Sequence, residues 1–164
     1  MVDPRKTETA RIAEEHLFIE PGTDVFFYLS FLHEVIEKKG VTQKRIDAHM
    51  KGFEEVAALC AEWTPEKTAP VTGIDPEALR SLVNTYLESD GAALYSSTGV
   101  NMGGQGALAF WLQEVINAVT GNLDKKGGTL VGRGIMDFLR FGVKKGLLIK
   151  DSKSRIGGFS MVND

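Results

Sequence analysis

Residues 25–39 read Val-Phe-Phe-Tyr-Leu-Ser-Phe-Leu-His-Glu-Val-Ile-Glu-Lys-Lys. Phe27, Phe31 and Val35 recur at helical spacing and Gly40 follows, so the pattern predicts a helix that ends there. The opposite side of this helix also carries large apolar side chains. A helix that is apolar all round is normally buried on more than one side. We therefore expect it to be the central helix of the fold.

Further elements are predicted on both sides of this helix. A short helical turn is expected near residues 10–15, and longer helices are expected over residues 43–51, 52–62, 65–72, 75–89 and 107–120. Two short apolar runs, at residues 17–19 and 92–97, indicate strands. The second run lies between Gly91 and Gly99, which favours a buried parallel strand. Helices around short buried strands predict an α/β, Rossmann-like layered fold with a short parallel sheet flanked by helices.

The first residues are typical of the exit from a strand. Asp3-Pro4-Arg5 forms a turn, and a proline ends strand pairing because it fixes φ and has no N–H to donate. Only Val2 remains where the body of that strand would lie. We therefore expect the chain to be truncated from a larger protein, to which its function would belong.

Composition is that of a globular domain. The chain has 164 residues, of which 43% are hydrophobic and 25% charged, far from the composition of disordered proteins. Residues 1–124 carry 10 Lys and Arg against 19 Asp and Glu, whereas residues 125–164 carry 9 against 3. We interpret the basic end as a solvated edge that docks on other parts of the protein rather than on nucleic acid.

A membrane partner is not expected either, because no apolar run approaches the roughly 18 residues that a spanning helix needs. The compartment is left open between cytoplasm and periplasm. No targeting signal is visible, and its absence from a piece of a larger protein says nothing about where that protein is located.

Three loops follow predicted strands: Asp3-Pro4-Arg5, Pro21-Gly22-Thr23-Asp24 and residues 99–106. Ligands of open α/β sheets bind at the carboxyl ends of strands, where glycines let the backbone approach a ligand closely. Asp3 or Asp24 could accept hydrogen bonds from ribose or guanine, and Arg5 could pair with a phosphate. Each loop alone is more often a plain turn, and neither standard phosphate-binding motif is present. Together they predict a nucleotide-like ligand.

The same motifs, in the same order, resemble the molybdopterin oxidoreductases, the family that includes dimethyl sulfoxide reductase, formate dehydrogenase and nitrate reductase. The resemblance extends from residue 2 to about residue 131. The segments that carry it are residues 3–10, 19–24, 52–55, 63–66, 99–101, 120–123 and 126–128. These spaced motifs agree in order, which makes the resemblance specific.

This resemblance implies a cofactor. Such enzymes bind molybdenum or tungsten through two molybdopterin guanine dinucleotides held by related α/β domains. Residues 1–131 would be part of one such dinucleotide-binding domain, and residues 132–164 a basic helical extension leading to the rest of the protein. The implied cofactor-binding residues are Asp3, Pro4, Arg5, Glu20, Pro21, Gly22, Asp24, Thr98, Gly99, Asn101 and Met102. The family commonly has Gln at the position of Met102, and methionine cannot donate the corresponding hydrogen bond.

The resemblance also implies what this chain lacks. In the family, the iron–sulfur cysteines and the metal ligand lie upstream, and the single Cys60 does not match either position. The chain is therefore expected to contribute cofactor-binding loops but no metal ligand, and to be inactive alone. Its expected partners are the remaining domains and an electron-transfer subunit. Self-association is also expected, because faces meant for other domains leave apolar area exposed.

The alternative is a stand-alone small nucleotide-binding α/β module without catalytic activity. Upstream sequence that continues into a Cys-rich cluster would distinguish the enzyme fragment from this module.

Several residues are interpreted as structural. Cys60 lies in an apolar helical run, and free cysteine is among the most buried residue types. His16, His33 and His49 have no partners at metal-site spacing. In the basic extension, apolar residues at helical spacing predict a short amphipathic helix, and a strand or interdomain contact is expected at residues 147–149. The residues of that predicted helix are Ile135, Met136, Leu139 and Val143.

Overall fold

A computed structural model describes residues 1–131, residue 142 and residues 144–146. The chain divides into two compact units, residues 1–130 and 131–164. The helix expected at residues 135–143, apart from residue 142, and the strand or interdomain contact expected at residues 147–149 lie outside the described residues. The helices of the first unit are α1 (Glu8–Ile12), α2 (Asp24–Glu37), α3 (Gln43–His49), α4 (Phe53–Cys60), α5 (Pro65–Thr72), α6 (Pro76–Glu88), α7 (Thr98–Asn101) and α8 (Gly106–Val119).

Helix α2 is the centre of this unit, as its sequence predicts. Phe31, Leu32 and Val35 have no exposed surface. Helices α4, α5, α6 and α8 all pack against α2. The side chains of Phe31 and Tyr86 meet edge to face, with ring centroids 5.4 Å apart, and so join α2 to α6. Burial on several sides explains why this helix carries large apolar residues around most of its circumference.

The helix starts follow local sequence chemistry. The Asp75 carboxylate accepts hydrogen bonds from the backbone N–H groups of Glu77 and Ala78, and Pro76 occupies the first helical position of α6. Thr64 caps α5 in the same way by accepting from the Lys67 N–H. Both arrangements satisfy donors that the first turn of a helix leaves unpaired.

The predicted Rossmann-like sheet is wrong. Among the described residues the structure contains helices and two isolated bridges, Val2 with Leu17 and Leu123 with Thr129, and no sheet. The expected strand at residues 17–19 is reduced to the first of these bridges. Its continuation pairs elsewhere, because the Glu20 N–H donates to the carbonyl of Thr72 at the end of α5.

The second expected strand, residues 92–97, has no strand partner among the described residues. The side-chain amides of Asn117 in α8 and of Asn122 just after α8 bond its backbone instead. The Leu94 N–H donates to Asn117 Oδ1 at 2.9 Å, and Asn117 Nδ2 donates to the Leu94 carbonyl at 3.0 Å. The Ala92 N–H donates to Asn122 Oδ1 at 3.2 Å. Asn117 has no exposed surface, and it also accepts from the Tyr86 hydroxyl at 3.1 Å. An extended segment can therefore be satisfied without a sheet.

A charged cluster joins three helices on another side of α2. Arg80 of α6 pairs with Glu34 of α2 at 3.2 Å, with Glu66 of α5 at 2.5 Å and with Glu77 at 2.7 Å. Glu34 is buried, and Lys38 lies 3.9 Å from its second oxygen. The hydrogen bond from Arg80 lowers the pKa of the exposed Glu66. The cluster therefore neutralises a carboxylate that the packing of α2 has buried.

Replacing Asn117 should strongly destabilise the protein. Asn117→Leu leaves the N–H and carbonyl of Leu94 and the hydroxyl of Tyr86 without their partner, so we expect a loss of about 3 kcal/mol in the free energy of unfolding. Urea unfolding followed by far-UV circular dichroism measures this loss. The control is Asn84→Leu at an exposed position of α6, which should change stability by less than about 0.5 kcal/mol. Equal losses in the two variants would show that Asn117 does not hold the segment.

Replacing Arg80 should destabilise the protein because it leaves Glu34 buried without its main partner. We expect Arg80→Ala to cost about 2 kcal/mol, reduced from the value for a fully buried pair because Arg80 is partly exposed. Glu77→Ala removes only an exposed partner and should cost less than about 0.5 kcal/mol. Thermal unfolding of both variants tests this, and similar melting temperatures would contradict it.

Candidate functional site

The first two predicted site loops lie side by side. The Asp3 N–H donates to the carbonyl of Leu17 at 3.1 Å, and the Leu17 N–H donates to the carbonyl of Met1 at 2.9 Å. This bridge is parallel, so both segments exit at the same end. Arg5 follows the first segment, and Glu20 follows the second. A single parallel bridge therefore places the first two loops side by side, a role that the sequence predicted for a sheet.

The first loop is held by its own aspartate. Asp3 Oδ1 accepts a hydrogen bond from the Arg5 N–H at 2.7 Å, which closes a tight turn over Pro4. His16 Nε2 lies 3.1 Å from the Asp3 carbonyl oxygen and supports the turn from the second segment. Pro4 and Arg5 are exposed. The Arg5 guanidinium makes no hydrogen bond or ion pair within the described residues, so it is free to meet an anion.

The second loop leads directly into α2. The Thr23 hydroxyl donates to the Glu20 carbonyl at 2.7 Å, so it does not cap the helix. Asp24 lies in the first turn, where the helix dipole stabilises a carboxylate. Gly22 has φ of +80°, and no atom lies within 4 Å of the place where a Cβ would stand. Pro21 and Gly22 are exposed, so the backbone of this loop is open to a ligand.

The third predicted loop is partly helical. Thr98–Asn101 forms the short helix α7, and Met102 follows it with 80% of its surface exposed. Thr98, Gly99 and Asn101 are exposed, and Gly99 has open space beside it. A Cβ at Gly106 would collide with the Asn101 carbonyl, so a glycine there lets α8 approach α7 closely. The predicted residues therefore remain accessible, but on a helical turn rather than a glycine-rich loop.

A buried polar contact joins α2, just after the second loop, to α8. Tyr28 lies one turn after Asp24 on α2, and its hydroxyl donates to Gln113 Oε1 of α8 at 3.3 Å. The Ser96 hydroxyl, just before α7, lies near the same phenol. Burial raises the pKa of Tyr28 to about 12, and the nearby charge of Asp24 contributes. Tyr28, Ser96 and Gln113 are not among the site residues predicted from the sequence. A tyrosine inside an apolar helix is a usable signal, since its hydroxyl needs a partner when buried.

The side chains of the three loops fit a polar ligand. Arg5, Glu20 and Asp24 are not paired with other side chains among the described residues, and Gly22 and Gly99 leave space for an approaching group. One cation, two carboxylates and accessible backbone suit a ligand that has both a phosphate and hydrogen-bond donors. Met102, with no side-chain donor, adds only apolar contact.

Two cavities in the described part of the chain lie away from these loops. A cleft of about 300 Å³ between the start of α4 and the middle of α8 is lined mainly by Phe53, Val56, Trp111 and Val115. An adjoining cavity of about 220 Å³ includes Arg45. Neither contains a predicted cofactor-binding residue. Exposed apolar side chains on α8, Trp111 among them, are consistent with the expectation of self-association, which stays a prediction.

Among the described residues, no group of three or more potential metal-ligating side chains lies together. No helix there is long and apolar enough to cross a membrane.

Cys60 and His33 take the structural positions that the sequence predicts. Cys60 is buried at the end of α4, and burial raises the pKa of its thiol to about 11. His33 Nδ1 lies 3.1 Å from the Cys60 carbonyl oxygen and so fastens the end of α4 to α2.

Comparison with known proteins gives several relatives. Formate dehydrogenase H of Escherichia coli is 30% identical over 123 residues, which are 75% of this chain and 17% of that enzyme. The F420-dependent formate dehydrogenase subunit alpha of Methanocaldococcus jannaschii is 27% identical over 127 residues, 77% of this chain and 19% of that subunit. Nitrate reductases and trimethylamine-N-oxide reductases also match. No protein-family model matches the chain.

The solved structure of acetylene hydratase from Pelobacter acetylenicus superposes with a TM-score of 0.70 at 24% identity, covering 74% of this chain and 17% of that enzyme. At that identity the match shows a shared fold alone. The sequence relatives are oxidoreductases, and the predicted resemblance to the molybdopterin oxidoreductases is confirmed over about 77% of the chain. The chain spans less than a fifth of the length of these relatives.

The buried thiol should be chemically inert. Because the pKa of Cys60 is about 11, only about one thiol in a thousand is ionised at pH 8, and the packing around it excludes reagents. We expect no reaction with a disulfide reagent over an hour in the native protein and one equivalent in 8 M urea. Absorbance of the released thiolate measures this. Rapid reaction of the native protein would mean that the end of α4 is open.

Proposed function

We propose that this homologue of the molybdopterin oxidoreductases is a fragment of a molybdenum- or tungsten-dependent enzyme and contributes loops that hold a molybdopterin guanine dinucleotide. The observation that supports this most directly is the parallel bridge between Val2 and Leu17, which places the Asp3–Arg5 loop beside the segment that leads through Glu20 into α2. When bound, the cofactor would supply the metal at which a substrate is oxidised or reduced. We further propose that this chain gives no ligand to that metal and is inactive alone.

The charges of the loops indicate which part of the ligand each loop would bind. Arg5 is an exposed cation at the end of the first segment, without an ion-pair partner among the described residues, and would hold a phosphate of the cofactor. Asp24 places a negative charge at a helix start that would otherwise attract anions. A carboxylate there instead suits a donor edge, such as the N–H groups of guanine or a ribose hydroxyl. Asp3 is partly occupied by its bond to the Arg5 N–H.

The remaining predicted residues would shape the pocket. Glu20, Pro21 and Gly22 form an exposed edge whose glycine permits close backbone approach. Thr98, Gly99 and Asn101 would offer a hydroxyl, open backbone and an amide along the same cofactor. Met102 would contact it through dispersion only, which distinguishes this chain from the family pattern with Gln.

Partners are part of the same proposal. Several relatives are alpha subunits of formate dehydrogenases, and a protein that resembles them over part of its length would meet other domains and an electron-transfer subunit. The iron–sulfur cluster that the resemblance implies would be bound outside this chain.

Guanine nucleotide binding by the full chain tests the proposal. We expect isothermal titration to show that GDP binds at least tenfold more tightly than ADP, because Asp24 would accept from the guanine edge. Asp24→Asn should weaken GDP binding about tenfold, the effect of losing one charge-assisted hydrogen bond. Arg5→Ala should weaken GDP more than guanosine, since it removes the phosphate contact.

The control is Glu54→Gln, which removes an acidic side chain from the first turn of α4, away from the loops. It should leave GDP binding unchanged. Equal affinity for GDP and ADP would favour the stand-alone nucleotide-binding module. Absence of binding by any guanine nucleotide would contradict the proposed site.

A further inference from the structure

Three parts of the molecule meet at the hydroxyl of Tyr28. Tyr28 belongs to α2, which begins at Asp24, and its ring is 95% buried. Its hydroxyl donates to Gln113 Oε1 of α8 at 3.3 Å, and Gln113 is itself buried. Gln113 Nε2 is held in turn by Glu114 Oε1 at 2.8 Å. The acceptor of the Tyr28 proton is therefore fixed in position by its own neighbour.

Ser96 approaches this phenol from the third element. It lies two residues before Thr98, the first residue of α7, and it is 9% exposed. Its hydroxyl oxygen is buried near the Tyr28 phenol and has no hydrogen-bond partner among the described residues. A buried hydroxyl without a partner is costly, so a small movement that completes its bond to the phenol would be favoured.

We propose that Tyr28 is a positioning residue that acts through Ser96 to set the spacing between the Pro21–Asp24 loop and helix α7. The ligand in this inference rests on the proposed function, but the coupling between the two loops does not. Tyr28 would touch neither the nucleotide nor the reacting atoms.

The chemistry of the phenol suits this role. Burial and the charges of Asp24 and Glu114 favour its neutral form, so the hydroxyl keeps its proton for Gln113 at all ordinary pH values. Its oxygen then has lone pairs that can accept from Ser96. The Tyr28 hydroxyl can thus bond both α8 and the segment before α7. The backbone of Tyr28 belongs to α2, whose first turn includes Asp24.

The binding test uses Tyr28→Phe, Ser96→Ala and the double variant in the full chain, with GDP as the probe. We expect each single variant to weaken GDP binding about fivefold, the effect of one neutral hydrogen bond. The double variant should be no weaker than Tyr28→Phe alone, because the contact that Ser96→Ala removes is already lost when the Tyr28 hydroxyl is absent. Ser96→Thr keeps the hydroxyl and should restore the native affinity, which a purely structural role for the small side chain would not predict.

The second measurement needs no ligand. Amide hydrogen exchange of the unliganded protein should speed up together in the Asp24 turn and in α7 in both single variants, and stay unchanged in α6. Thr68→Val is the matched control, since it also removes a buried hydroxyl, but one whose hydrogen bonds stay within the start of α5. It should lower stability without changing GDP affinity relative to native protein.

The outcomes distinguish a failure of the positioning role from a failure of the proposed function. Native GDP affinity in Tyr28→Phe, or additive losses in the double variant, would overturn the positioning role while leaving the proposed function intact. Failure of the native protein to bind GDP would overturn the proposed function. In that case the exchange measurement still decides whether Tyr28 couples the two loops, and unchanged exchange in α7 would refute the coupling.

Discussion

The buried amide of Asn117 is the interaction on which the rest of the structure depends. It bonds both backbone groups of Leu94 and accepts from the hydroxyl of Tyr86, and it has no exposed surface. These bonds hold the extended segment that leads into α7. Without them, the segment would expose polar backbone within the packed interior. A single side chain therefore supplies what a neighbouring strand supplies in a sheet.

Helix α2 provides the second constraint, because its burial fixes where its first turn lies. Packing against α4, α5, α6 and α8 leaves little freedom to rotate, and the buried Glu34 is matched by Arg80. The turn containing Asp24 is consequently presented at a defined place next to the parallel bridge of Val2 and Leu17. Accessible loops on a rigid helix are a common way of building a binding site.

Local chemistry made much of this predictable. The positions of α2, α5, α6 and α8 follow from apolar periodicity and from capping residues such as Asp75, which act within a few residues. The resemblance to molybdopterin oxidoreductases likewise followed from short motifs and is confirmed. The sheet was not predictable in the same way. A short apolar run between glycines is compatible both with strand pairing and with bonds to side-chain amides, and the Asn117 that decides between them lies 23 residues from Leu94.

The candidate site likewise contains some residues that the sequence predicted and some that it did not. Its exposed residues, from Asp3 to Met102, could be named because turn-forming residues and glycines mark accessible backbone. The buried contact of Tyr28 with Gln113 could not, because it joins residues 85 positions apart and depends on how α2 and α8 pack. By itself the sequence determined the helices, their caps and the family resemblance, since these depend on neighbouring residues. Only the tertiary structure decided that side-chain amides replace the sheet and that Tyr28 bonds Gln113, because long-range packing selects the hydrogen-bond partners of buried polar groups.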